Sequence, residues 1–225
     1  MLSLGFGRSR QVSKKLTVLC MGAHCDDIPI GCGGAILKLS REYQRLDVSW
    51  VVFSSTEIRE KEEQIAADRF LANVQHKRII IRRWRDGFLP QVWGEVKDFV
   101  ESIKDLVEPD LIFTHHERDR HQDHRLISEL TWNTFRNHLI LEYEIPKYDG
   151  DFGSPNVFIP LSDEACNEKV SGILDSYRSQ KDRQWFTENL FLSTARIRGM
   201  ESGGKLKYAE GFYARKIVLG PDYGL

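Results

Sequence analysis

Hydrophobic residues along the chain alternate between short continuous runs and stripes with helical spacing. Four runs have the length and the β-branched or aromatic content of buried strands: residues 16–23 (LTVLCMGA), 47–53 (DVSWVVF), 78–81 and 110–114 (DLIFT). Four segments place apolar residues on one face of a helix: 33–43, 57–72, 92–107 and 122–138. Strands that alternate with helices predict βαβ units, and therefore an α/β fold with a parallel sheet.

The pattern is less regular beyond residue 139. It predicts a strand over 139–145, a turn-rich loop over 149–155, a helix that begins at Ser162, a helix over 184–198 and a closing strand over 212–219. No repeat, low-complexity tract or linker interrupts the sequence. We therefore predict a single domain over residues 1–225, with residues 1–14 as a flexible N-terminal segment.

The composition argues against several classes of protein. The 225 residues include 32 lysines and arginines against 33 acidic residues, so no net field favours nucleic acid or an anionic membrane. Four cysteines without a C-x-x-C pair do not form a disulfide framework or a zinc knuckle. No apolar run approaches the roughly 20 residues of a membrane helix. We predict a cytoplasmic protein with reduced thiols, no nucleic-acid partner and no transmembrane segment, whose oligomeric state stays open.

Two clusters of polar residues directly follow predicted strands. Residues 23–27 (AHCDD) come after the first strand, and residues 115–124 (HHERDRHQDH) come after the fourth. In an open parallel α/β sheet the ligand crevice lies at the carboxyl ends of the strands, so both clusters fall on the same edge. We expect these two strands to be neighbours where the strand order reverses, which would place their ends about 5 Å apart.

The residue types in these clusters are those of a hydrolytic metal site. Zinc binds nitrogen and oxygen ligands, with three from the protein and one position left for water. His24 and Asp27 can supply ligands from the first cluster, and His124 can complete the set from the second. Each histidine could instead be a hydrogen-bonded loop residue, and mixed His and Asp ligands also suit other first-row metals.

Three further residues in the clusters can supply the remaining chemistry. Asp26 lies between two candidate ligands and can accept a proton from water. His121 lies one helical turn before His124, so the two side chains project to the same face. Asp123 could orient a histidine, because a ligating imidazole usually donates its other N–H to a carboxylate or carbonyl.

At these positions the sequence resembles the LmbE-like deacetylases, the family that includes the PIG-L enzymes. Residues 23–27 (AHCDD) are similar to the A-H-P-D-D segment of that family, and residues 121–124 (HQDH) are similar to its H-P-D-H segment. Residues 198–199 (RG) and 208–212 (YAEGF) resemble its R-G and Y-A-E-x-F segments near the C-terminus. The glycines that open the next helix in the family also have counterparts here: Gly31, Gly33 and Gly34.

The resemblance implies a Rossmann-like, mostly parallel sheet with helices on both faces. It also implies hydrolysis of an N-acetyl group, commonly on a glucosamine unit, with Zn²⁺ as the cofactor and Fe²⁺ or another divalent metal as the alternative. By position, the resemblance assigns roles as follows: metal ligands His24, Asp27 and His124; general base Asp26; oxyanion stabiliser and candidate proton donor to the leaving amine His121; and contacts to sugar hydroxyls Arg59 and Asp86.

The sequence departs from the family pattern at three positions. Cys25 and Gln122 replace prolines, which alters the stiffness of the loops rather than the identity of the ligands. Ile28 stands where many members carry glutamate. We do not expect Cys25 to be a fourth ligand, because a closed site would lose the open position that catalysis needs. The glycines of segment 31–34 do not fit G-x-G-x-x-G, and we expect them to allow a tight turn and close helix–strand packing.

These observations favour a metal-dependent hydrolase that uses zinc-activated water to remove an N-acetyl group. Its substrate would be a small amino-sugar compound or a glycoconjugate. Two other functions remain as alternatives: a non-catalytic glycan or nucleotide-sugar binding module, and a metallo-phosphoesterase. The phosphoesterase would more naturally use two metal ions about 4 Å apart and more ligands than the clusters contain.

Overall fold

The computed structural model describes residues 15–218, so the expected flexible segment 1–14 lies outside the described residues. Within 15–218 the chain forms seven strands: β1 (Lys15–His24), β2 (Arg45–Ser54), β3 (His76–Trp84), β4 (Leu111–His115), β5 (Leu139–Tyr143), β6 (Val157–Leu161) and β7 (Tyr208–Tyr213). The same residues form six α-helices: α1 (Asp27–Glu42), α2 (Glu57–Phe70), α3 (Trp93–Leu106), α4 (Gln122–Thr134), α5 (Asp163–Ser176) and α6 (Glu188–Glu201).

The described strands form one sheet in the order β3-β2-β1-β4-β5-β7-β6. The first five strands in this order pair in parallel, and β7 runs antiparallel to both of its neighbours. β1 pairs with β4, and Leu19 lies opposite Ile112. The predicted α/β fold with a mostly parallel sheet is therefore confirmed, and so is the expected pairing of the first and fourth strands.

Helices cover both faces of the sheet, as the resemblance implies. On one face α1, α2, α5 and α6 pack over a core that includes Trp50 and Phe113. On the other face α3 and α4 pack over a smaller core that includes Leu19 and Phe53. Within residues 15–218, none of the helices is long and apolar enough to cross a membrane.

Helix α1 begins earlier than the hydrophobic pattern predicts. It starts at Asp27, so the glycines of segment 31–34 lie inside the helix, and the expected tight turn at these glycines is wrong. The expected close packing is confirmed. A Cβ atom on Gly31 would lie 2.2 Å from Cδ2 of Tyr143, and one on Gly34 would lie 2.5 Å from Cδ1 of Leu161. The absence of these side chains lets α1 lie directly against the sheet.

The C-terminal part differs from the prediction in two strands. The closing strand was expected over 212–219, whereas β7 spans Tyr208–Tyr213, and residue 219 lies outside the described residues. The sequence pattern does not reveal the start of this strand, because Glu210 has the residue type of a surface position. In the structure Glu210 is buried and accepts hydrogen bonds from the backbone N–H groups of Gly34 and Ala35. No strand was predicted where β6 lies. Its Pro160 is tolerated because β6 is at the edge of the sheet.

The packing of α1 gives a test of the fold. We expect Gly31→Ala to lower the free energy of unfolding by about 1–3 kcal/mol, because its methyl group would overlap the buried ring of Tyr143. Chemical denaturation would measure the change. The matched control is Gly94→Ala in α3, where an added Cβ meets none of the described atoms within 4 Å. A Gly31→Ala protein as stable as the control would contradict this account.

Candidate active site

The first polar cluster forms the sharp turn between β1 and α1. His24 is the last residue of β1, and Asp27 is the first residue of α1. The backbone N–H of His24 donates to Oδ2 of Asp27 over 2.7 Å. Asp26 lies between them with φ of 93°, in the left-handed region that residues other than glycine seldom adopt. The turn thus places three predicted site residues within one short loop.

The second polar cluster lies between β4 and α4. His121 is the N-cap of α4, and its Nδ1 atom accepts a hydrogen bond from the N–H of Asp123 over 3.3 Å. His124 follows in the first turn of α4 and is 3 % exposed. Both imidazoles lie beside His24 at the end of β1. The imidazole centroids of His121 and His24 lie 4.7 Å apart.

The structure brings the three predicted ligands together. Nδ1 of His24 lies 3.1 Å from Nε2 of His124, and Oδ2 of Asp27 lies 3.5 Å from each of these nitrogens. Ligand atoms around one tetrahedral zinc ion are about 3.3 Å apart, given Zn–N and Zn–O bonds near 2.0–2.1 Å. Two imidazole nitrogens and one carboxylate oxygen at this spacing fit a divalent metal ion.

The pKa values of these groups also suit a cation. Burial raises the pKa of Asp27, but the neighbouring His124 and His115 together with hydrogen bonds to His115 and His24 lower it by more. The pKa of Asp27 therefore lies well below its usual range. Burial and the nearby His115 lower the pKa of His124 to about 4, so its imidazole is neutral at physiological pH. Burial lowers the pKa of His24, but hydrogen bonds to Asp123, Asp27 and Asp86 raise it well above its usual range. The same carboxylates would stabilise a metal ion in place of that proton.

Each candidate histidine ligand has a carboxylate at its other ring nitrogen. Nε2 of His24 lies 3.1 Å from Oδ2 of Asp123, as expected for an orienting residue. Nδ1 of His124 lies 2.9 Å from Oδ2 of Asp119, which also pairs with Nζ of Lys147 at 2.9 Å. Sequence reasoning missed Asp119. Its place in the acidic second cluster was a signal, but the spacing did not show which carboxylate meets His124.

His115 is a second residue that sequence reasoning left without a role. It is completely buried, and its Nε2 lies 2.9 Å from the backbone nitrogen of Ala23 and 3.1 Å from Oδ2 of Asp27. Its Nδ1 has no hydrogen-bond partner among residues 15–218. His115, Asp27 and His124 also form a group with the spacing of a metal site. Its position at the end of β4 was the available signal, but the adjacent His116 looked equivalent and instead bonds to Glu142.

Asp26 lies beside the ligands but pairs with an arginine. Oδ2 of Asp26 is 2.9 Å from a terminal nitrogen of Arg59, which also donates to the carbonyl of Cys25. Burial raises the pKa of Asp26 to about 7; Arg59 opposes this, and Asp27 and Glu63 add to it. The Cys25 thiol is directed at the carbonyl of Ser54, 3.7 Å away, and burial raises its pKa, so it is a neutral thiol.

Asp86 reaches the site from the loop after β3. Its Oδ1 lies 3.1 Å from Nε2 of His24, and 75 % of its side chain is exposed. The following loop is fixed by Asp123, whose two oxygens accept the N–H groups of Gly87 and Leu89 over 2.7 and 3.1 Å. The structure therefore brings Asp86 next to the candidate ligand His24 and Arg59 next to Asp26.

Residues 19–135, which contain both polar clusters, match the family PIG-L, described as GlcNAc-PI de-N-acetylase. The chain belongs to the PIG-L family. Because this is a family of deacetylases, membership supports an enzyme that hydrolyses N-acetyl amides.

The chain is similar to individual members and structures as well. It is 26 % identical to the uncharacterized deacetylase YaiS of Escherichia coli K12 over 174 residues, which are 72 % of this chain and 90 % of YaiS. The structure of N,N'-diacetylchitobiose deacetylase from Pyrococcus horikoshii has a TM-score of 0.67 and 24 % identity over 88 % of this chain and 83 % of that one. GalB, the 4-carboxy-2-hydroxymuconate hydratase from Pseudomonas putida KT2440, has a TM-score of 0.70 and 14 % identity over 91 % and 98 %. Both structures show a shared fold.

The geometry of this PIG-L protein predicts which histidine is needed for metal binding. We expect His124→Ala to remove bound metal, because it takes away one of the three clustered donor atoms. Elemental analysis of the purified protein would measure metal per chain. The control is His116→Ala, a histidine of the same loop that bonds to Glu142 instead. Full metal content in the folded His124→Ala protein would contradict the ligand set.

The contact between Asp119 and His124 gives a second prediction. We expect Asp119→Asn to weaken metal affinity about 10–100-fold, because the amide orients the His124 imidazole less firmly than a carboxylate does. A competition titration with a chelator of known affinity would measure this change. Asp149→Asn, an exposed position in a nearby loop, is the control. Equal affinities in the two variants would show that Asp119 does not tune the site.

Proposed function

We propose that this PIG-L protein is a zinc-dependent hydrolase that removes an N-acetyl group from an amino-sugar-containing substrate. The observation that carries the proposal is Asp26, a buried carboxylate beside the ligand cluster that is itself paired with Arg59 rather than with the ligand atoms. A hydrolytic site needs such a carboxylate, because a general base works best when its pKa is near the operating pH. The pKa of Asp26, about 7, meets this requirement.

His24, Asp27 and His124 would hold the metal through the clustered atoms Nδ1, Oδ2 and Nε2. A divalent metal bound there supplies a Lewis acid and lowers the pKa of water to about 7. Asp123 and Asp119 each accept the N–H of the other ring nitrogen of a candidate ligand, which orients the imidazole and directs its second nitrogen to the metal position.

Asp26 acts as the general base in this proposal. Its carboxylate takes a proton from the attacking water while the water oxygen bonds to the acetyl carbon. Asp26 then returns that proton to the amine nitrogen as the C–N bond breaks, so the products are a free amine and acetic acid, which ionises to acetate. Arg59 keeps Asp26 oriented through the contact of 2.9 Å.

His121 stabilises the oxyanion as a neutral donor. Burial, followed by the nearby His124 and His24, lowers the pKa of His121, which disfavours the protonated form. Its Nδ1 accepts the N–H of Asp123, so the neutral ring carries its hydrogen on Nε2. That N–H can donate to the oxygen that becomes negative when water attacks the amide.

Arg59 and Asp86 are our proposed contacts to the sugar. The exposed carboxylate of Asp86 can accept hydrogen bonds from hydroxyl groups while its other contact is to His24. We further propose a small amino-sugar compound or glycoconjugate as the substrate. A cytoplasmic location stays a prediction from the composition.

The activity itself can be tested directly. We expect the purified protein to release acetate from N-acetylglucosamine-bearing compounds, to lose this activity with a chelator and to regain it with Zn²⁺ or Fe²⁺. Acetate can be quantified by a coupled assay across free, nucleotide-linked and lipid-linked N-acetyl sugars. Metal-dependent release of phosphate from phosphate esters without acetate would favour a phosphoesterase, and sugar binding without turnover would favour a binding module.

The role of Asp26 gives a separate prediction. We expect Asp26→Asn to lower kcat by about 10²–10⁴-fold, because the amide cannot accept the proton. Asparagine also tolerates the left-handed backbone, so the loop should keep its shape. Metal content should match that of the unaltered protein. Near-normal turnover in this variant would exclude Asp26 as the base.

A further inference from the structure

Asp26 has an unusual backbone conformation for the residue at the centre of the proposed reaction. Among residues 15–218 it is the only non-glycine residue with a positive φ. L-residues adopt this region seldom, and those that do are mostly single asparagines or aspartates. Such a conformation persists when surrounding contacts hold it in place. The contact that holds Asp26 is therefore of functional interest.

The backbone N–H of Asp26 donates to a buried carboxylate. Its partner is Oε2 of Glu63, at 3.1 Å, and Glu63 is completely buried in helix α2. The same Oε2 accepts the hydroxyl of Tyr177 over 2.6 Å. Oε1 accepts the indole N–H of Trp50, also over 2.6 Å. Glu63 is thus fixed from three directions by neutral donors, one of which is the peptide of Asp26.

The left-handed turn has a geometric purpose. Side chains that follow one another in a strand point to opposite faces, so a continued β1 would place Asp27 on the face opposite His24. Helix α1 begins at once with Asp27, which is one of the clustered donors. The reversal at Asp26 lets its own carboxylate lie beside the donors of His24 and Asp27 without becoming one of them.

We propose that Glu63 is a positioning residue that holds the backbone of Asp26 in this conformation and so aims its carboxylate at the reacting water. This inference rests on the proposed function for its catalytic part, while the backbone part stands on the hydrogen bond alone. Glu63 touches neither the donor cluster nor the proposed substrate contacts through a hydrogen bond. Its effect on the reaction therefore passes through Asp26.

The identity of the acid at position 63 matters because all three of its partners are donors. A glutamine has one accepting oxygen and one donating NH₂ group. In one orientation its NH₂ faces the indole N–H of Trp50, and in the other it faces the Asp26 peptide and the Tyr177 hydroxyl. Glu63→Gln therefore sets donor against donor on one side while nearly preserving the volume of the side chain.

The first experiment compares kinetic constants of Glu63→Gln with those of the unaltered holoenzyme. We expect kcat to fall about tenfold to hundredfold, because a small displacement of a catalytic group costs that much. KM should stay within about twofold, and metal content should be unchanged. The control is Glu60→Gln, another acid of α2, whose carboxylate accepts a hydrogen bond from the exposed Arg83 instead. An unchanged kcat, or an equal loss in the control, would overturn the proposal.

A double variant separates positioning from general support of the fold. If Glu63 works through Asp26, Glu63→Gln should cause no further loss of kcat in an Asp26→Asn protein, because the group it aims is already disabled. A loss by the same factor in both backgrounds would mean that Glu63 acts independently of Asp26. That result would reject the proposal.

A third measurement does not depend on finding the substrate. Amide hydrogen exchange of Asp26, followed by NMR on the holoprotein, should accelerate at least tenfold in Glu63→Leu, which has no acceptor for the Asp26 N–H, and remain unchanged in Glu60→Gln. Exchange that is unaffected by Glu63→Leu would overturn the backbone part. If no N-acetyl compound is hydrolysed but the exchange changes as expected, the proposed function fails while the positioning of Asp26 by Glu63 stands.

Discussion

β1 and β4 pair in parallel at the centre of the sheet, although three helices and two strands separate them along the chain. This pairing makes two loops leave the sheet side by side at the same edge. The N–H of Ala23 even donates to the ring of His115 across the two strand ends. The contacts of His124 with His24 and Asp27 depend on that adjacency, because His124 follows β4 whereas the other two donors follow β1. The site is therefore a consequence of strand order.

Burial of several ionisable side chains in one place is unfavourable unless each is hydrogen-bonded or paired. The structure meets this condition in layers. The donors of His24 and His124 lie at the centre, Asp123 and Asp119 hold their outer nitrogens, and the carboxylates are held in turn by backbone N–H groups or by Lys147. On the other side, Arg59 offsets the charge of Asp26. Such layering limits the movement of each reacting group, which is what metal binding and proton transfer both require.

The fold by itself does not fix the reaction. GalB, a hydratase, shares this architecture with a TM-score of 0.70, and so does a diacetylchitobiose deacetylase with 0.67. Function has to be argued from the side chains at the edge of the sheet. In this chain those are an imidazole–carboxylate cluster and a separate buried acid, Asp26, a combination suited to hydrolysis. Membership of the PIG-L family agrees with that interpretation.

The local sequence pattern was sufficient to predict the α/β class, most elements from β1 to α4 and the two polar clusters. Strand and helix periodicities and short motifs depend only on residues that are neighbours in sequence. It was insufficient for β7, where the buried Glu210 looks like a surface acid, and for the start of α1. It also could not separate His115 from His116, or show that Asp119 and Glu63 face the site. Those assignments depend on which distant strands and helices pack together, and a contact between residues far apart in sequence has no local periodicity that would reveal it.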